Sequence, residues 1–128
     1  MGYYYEFHIK VKLKKDLPVE VIKFLQSWIV EQTYKPFIVD HALFRLERWG
    51  SCFYHSAYHG APTFDKLSSG YYLLQLNGEI KHGYKEIEEA VNWLSQYVVG
   101  RKKKQYVGWY KGESWEVPRI NLYVEKQL

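Results

Sequence analysis

Along residues 3–15, YYYEFHIKVKLKK, apolar and polar positions alternate almost without a break. A period of two is the signature of a strand with one buried face. Tyr3, Tyr5, Phe7, Ile9, Val11 and Leu13 form the apolar series, and Tyr4, Glu6, His8, Lys10, Lys12 and Lys14 the polar one. The pattern then changes period. Between residues 19 and 31, Val21, Ile22, Leu25, Trp28 and Ile29 recur at helical spacing. Pro18 suits the first turn of that helix and Asp16 lies near its cap. A second period of three and four runs through Tyr84, Ile87, Val91, Leu94 and Val98, with Gly100 placed as a left-handed stop.

Residues 51–59, SCFYHSAYH, read as a strand by their aromatic content, and residues 60–70, GAPTFDKLSSG, as a loop. Residues 71–81 form a further strand, in which Asn77-Gly78 suggests a bulge or kink. Two more strands follow residue 104, around a turn near residues 112–115. Residues 33–50 fit either a short helical turn capped by Asp40 or an extended loop, because Pro36 interrupts any continuing helix.

The expected order is β-α-β-β-α-β-β. This is an α+β fold: one antiparallel-rich sheet with two helices on one face, ferredoxin-like with an extra C-terminal strand. A chain of 128 residues fits a single domain spanning 1–128. Its 47% hydrophobic and 19% aromatic residues exclude a disordered chain.

Two helices on one face leave the other face for function. Packing Leu74, Leu76, Val107, Trp109, Ile120, Leu122 and Val124 inward assigns to the open face Tyr4, His8, Lys10, Lys12, Tyr54, Tyr58, Tyr71, Tyr106, Tyr110, Arg119 and Tyr123. Gln75 and Asn121 join them. A one-residue slip in any strand would reverse part of that list. The first expectation is a non-enzymatic interaction domain that binds a protein partner or itself through this aromatic face.

The alternative expectation is nucleic-acid or nucleotide binding, with rings stacking on bases and cations meeting phosphates. RNA-recognition domains use an open sheet face in this way, yet YYLLQLNG lacks the basic-Gly-aromatic-Gly pattern of their strand motif. The basic cluster Arg101, Lys102, Lys103 and Lys104 is a further phosphate-contacting candidate, although a helix-end cap is its first reading. The net charge of +4 permits an anionic partner without requiring one.

Sharper chemistry finds less support. His55 and His59 would meet a metal together on a helix, but on a strand they stand ~13 Å apart. Cys52 then falls on the opposite face. A small-pocket enzyme using His55 and His59 is the second alternative; no metal, cofactor or catalytic residue is assigned. One cysteine excludes an intrachain disulfide and agrees with a reducing cytoplasm. No apolar run approaches the ~20 residues that span a bilayer, and no membrane association is expected.

The segments RLERWGSCFY, SGYYLLQLNGEIK and YVGWYKGE together resemble those of a group of small uncharacterised bacterial proteins. The resemblance covers most of residues 3–125 and implies an intact domain in a bacterial setting. It brings no activity with it.

Overall fold

The architecture is built around the strand with the cleanest alternation. In the computed structural model, which describes residues 4–30, 62–81, 84–100, 103–112 and 118–125, β1 spans Tyr4–Leu13. Phe7, Ile9, Val11 and Leu13 are buried, while Lys10 and Lys12 are exposed. The period-two pattern thus becomes the division between core and open face.

Helix α1, Val19–Leu25, follows and passes into a π-helical turn at Gln26–Val30. Pro18 is the N-cap rather than a first-turn residue, and no side chain caps the helix, so Asp16 does not take that role. The Pro18 carbonyl instead accepts from the backbone N–H groups of Val21 and Ile22, at 3.0 and 3.1 Å.

Strand β2 is Thr63–Lys66, β3 is Tyr72–Lys81, α2 is Tyr84–Leu94, β4 is Lys104–Gly112 and β5 is Ile120–Glu125. All neighbouring pairs are antiparallel, and the sheet order is β2-β3-β1-β4-β5. The fold is α+β: five antiparallel strands in one open sheet, with two helices. Phe24, Leu25, Ile87, Val91 and Leu94 of the helices join the inward residues of β1 in one core cluster.

Two sequence expectations need correction here. The segment expected as a loop at 60–70 contains β2, which pairs Phe64 with Leu74 and stacks its ring on Tyr72 at 5.3 Å. Four residues between Pro62 and a Ser-Ser-Gly turn are too few to show a period. The expected strand at 51–59 lies outside the described residues, as does the segment 33–50. Asn77-Gly78 neither turns nor bulges, because β1 and β3 stay in unbroken register from Tyr4↔Lys81 to Leu13↔Tyr72.

Helix α2 ends earlier than its apolar spacing predicts. Leu94 is its last residue, and the Tyr97 N–H bonds the Leu94 carbonyl at 2.8 Å in the turn that follows. Val98 is extended and bridges to Leu13, so its burial belongs to the sheet rather than to the helix, and Gly100 does not terminate it. A backbone ladder (Lys14 N–H to Tyr97 O, Val99 N–H to Lys12 O, both 2.9 Å) replaced the last helical turn. β1 therefore shares one edge between two partners: residues 5–9 pair with β4, and its C-terminal end pairs with 97–99.

Tyr97 sits in that ladder and packs edge-on against Trp93 at 5.4 Å. Burial first, and the Glu20 carboxylate second, push its phenol above the ordinary value of 10.0. An acid whose folded pKa is raised stabilises the fold fully below its unfolded pKa, and that contribution falls away as pH climbs from 10.0 through the folded value. The expected result is a steeper alkaline loss of stability in the wild type than in Tyr97→Phe. Urea midpoints measured at pH 9 and pH 11 check it.

Candidate functional site: the open sheet face

The face opposite the helices is set by which residues stand beside Glu6, His8, Lys10 and Lys12. Register places Asn77 against His8, Gln75 against Lys10 and Leu73 against Lys12 on one side. On the other side, Lys111 stands against Glu6 and Trp109 against His8. β5 adds Asn121 beside Trp109, Tyr123 beside Tyr106 and Glu125 beside Lys104.

Two expected positions are exchanged. Tyr110 is buried on the core side, where its hydroxyl donates to Glu88 at 2.8 Å and its ring meets Tyr5 edge-on. Trp109, expected inside, is half-buried on the open face. The cause is a β-bulge: register shifts between Tyr106 and Gly108, so Val107 and Gly108 both lie on the inward side and every later residue changes face. Gly108 has φ of +156°, and a Cβ there would stand 1.9 Å from the His8 carbonyl oxygen. The bulge thus requires glycine, and it turns a tryptophan outward.

With that correction, Tyr106 (51% exposed), Trp109, Arg119 and Tyr123 (42% exposed) share one face. The Arg119 guanidinium lies 5.4 Å from the Trp109 ring centroid, and the Lys104 ammonium 4.7 Å from that of Tyr123. Tyr106 and Tyr123 meet edge-on at 5.9 Å. At the far end of β1, Lys12 and Lys15 approach the Tyr71 ring at 5.4 and 4.7 Å. Such cation-ring pairs hold a charge in place at the surface for about 0.5–1 kcal/mol each.

Near β3 the same face is sheltered. Asn77 is only 1% exposed, and its side-chain carbonyl oxygen is hydrogen-bonded with His8 Nδ1. The His8 ring also tilts against Trp109 at 6.2 Å. Asn77 is thus a buried polar residue with a structural reason, since a buried amide must be hydrogen-bonded.

An open cleft of about 850 Å³ lies at the end of β1, beside Tyr71. Lys14, Lys15, Asp16 and Glu125 all line it, so it carries no dominant charge.

The remaining expectations divide clearly. Tyr54, Tyr58, His55, His59 and Cys52 lie outside the described residues, as do Arg101 and Lys102, and for Tyr4 only the backbone is described. Lys103 and Lys104 are exposed, but α2 ends at Leu94, so this run is not its C-terminal cap. Among the described residues no group of three or more His, Cys, Asp or Glu is placed to hold a metal. No helix among them is long and apolar enough to cross a membrane.

Comparison of the chain with protein-family models, curated proteins and solved structures finds no match.

Proposed function

We propose that this protein is a non-enzymatic interaction domain that binds an anionic macromolecule through the open face of its sheet. The observation that carries this reading is the set of open-face rings with cations held over them: Trp109 with Arg119, Tyr123 with Lys104, and Tyr71 with Lys12 and Lys15. Among open-face residues whose side chains are described, Lys10, Lys12, Lys104, Lys111 and Arg119 outnumber Glu6, Asp65 and Glu125.

The sign of that charge also selects between partners. A two-fold dimer through this face would set the patch against itself, bringing lysine towards lysine. Like charges directly opposed cost free energy, so self-association is the weaker version of the proposal and an acidic partner the stronger.

The fold-level part of the proposal is a ferredoxin-like core with β5 added beyond β4. Its support is the order β4-β1-β3-β2 for the first four strands, read from the β4 side, with each helix connecting strands that flank a third. We place the domain in a reducing, cytoplasmic setting on the strength of its single cysteine.

Amide shifts of the ¹⁵N-labelled protein, titrated with poly-L-glutamate and with heparin, test the functional reading. The largest changes are expected at Lys10, Lys12, Lys104, Tyr106, Trp109, Arg119 and Tyr123, fading as salt is raised. Changes centred on α1 or α2, or none with either polyanion, would refute it.

A further inference from the structure

The β4–β5 pair presents a more specific surface than a basic patch. Its outward residues, in order along the hairpin, are Arg119 over Trp109, then Asn121 beside Trp109, then the Tyr106–Tyr123 pair, then Lys104 over Tyr123. Rings alternate with groups that donate hydrogen bonds. In a regular strand Tyr106 and Trp109, three residues apart, would face opposite ways; the bulge at Val107–Gly108 brings both to the same side.

We infer that this ladder binds a short stretch of single-stranded nucleic acid, with bases against Trp109, Tyr106 and Tyr123 and phosphates against Arg119 and Lys104. The inference rests on the proposed binding role of the open face and names its partner. An acidic protein would satisfy the cations but has no general need of three neighbouring rings. A single strand offers a π-face and a negative charge at every nucleotide, which matches this alternation. A duplex hides its base faces inside the stack, so it presents only the charges. Asn121, exposed beside Trp109, is placed to meet a base edge.

The length of the ladder bounds the site. Across the bulge Tyr106 and Trp109 stand opposite Tyr123 and Asn121, two residues apart, so the two rings are ~7 Å apart along the strand, and β4 and β5 are ~5 Å apart. That span accommodates about two to four nucleotides, so a ten-nucleotide probe covers it.

Fluorescence anisotropy with labelled mixed-sequence ten-nucleotide RNA and DNA, at 50 and 300 mM KCl, tests the inference. Single strands are expected to bind at the lower salt and to weaken steeply at the higher one. Tyr123→Ala and Arg119→Ala, both at exposed positions, are expected to weaken binding about tenfold each. Tyr123→Phe, which keeps the ring, is expected to stay within about twofold of the wild type. Lys85→Ala removes one positive charge from exposed helix surface and is expected to change little. Circular dichroism confirms that each variant is folded.

Poly-L-glutamate binding at the open face with no oligonucleotide binding would overturn the nucleic-acid inference and leave the wider reading standing. No binding by any polyanion would overturn both. Oligonucleotide binding with Tyr123→Ala unchanged, or equal affinity for a duplex of the same length, would refute the ladder.

Discussion

Replacing Gly108 with alanine is expected to destabilise the protein by about 3 kcal/mol or more. Two costs combine. The residue holds φ of +156°, and its Cβ would stand 1.9 Å from the His8 carbonyl oxygen and 2.9 Å from the Ile9 Cα. Both obstacles are backbone of the central strand, so no side chain can swing aside. Relief would need β4 to lift from β1 where Trp109 stands against His8. Thermal unfolding is the direct measurement, with a fall in Tm of more than ~10 °C expected. A fall of only a few degrees would mean that the bulge relaxes, and Trp109 would then no longer be held outward.

The second large effect comes from the two faces of β1. Phe7 is fully buried in the strand that the sheet surrounds, and truncating it to alanine is expected to cost about 3–5 kcal/mol. Lys10, three residues on and on the other face, is exposed, and Lys10→Ala is expected to change stability by less than about 0.5 kcal/mol. Chemical denaturation of the two variants side by side checks the pair. Comparable losses would refute the assignment of faces on which the proposed site depends. If binding is as proposed, Lys10→Ala weakens it, while the folded fraction stays unchanged.

These two positions also show how far the sequence could be read. β1 was legible because ten residues alternate without interruption and one face is wholly apolar. α2 was legible in its body, through Ile87, Val91 and Leu94, but not at its end. Val98 keeps the helical spacing while serving the sheet, and periodicity cannot distinguish two uses of the same buried valine. β2 was hidden by its length.

The open face was legible as a class of surface, and His8, Lys10, Lys12, Tyr71, Tyr106, Arg119 and Tyr123 stand on it. Tyr110 and Trp109 were exchanged because one bulge reverses everything after it. The signal was nonetheless present: a glycine inside an aromatic strand, YVGWY, marks a bulge or a close backbone approach, and here it marks both. Asn77-Gly78 reads in the sequence as a bulge or kink in its strand, whereas the Asn77 amide is the buried partner of His8.

The shared edge of β1 has a consequence for how the molecule breathes. Residues 104–107 of β4 lie beyond its pairing with the central strand, and 104–106 pair with β5. Gln105, in this stretch, keeps a buried side-chain oxygen without a hydrogen-bond partner. Such a hairpin end can open without disturbing the β3–β1 ladder, so its amides should exchange with deuterium by local opening while those of Phe7 to Val11 wait for global unfolding. The part of the sheet that carries Lys104 and Tyr106 is then compliant, and the part that carries His8 and Asn77 is its rigid footing. Opening there would also uncover Val107 and Val124, which belong to the core, so exchange at residues 104–107 reports how firmly the core holds this end of the sheet.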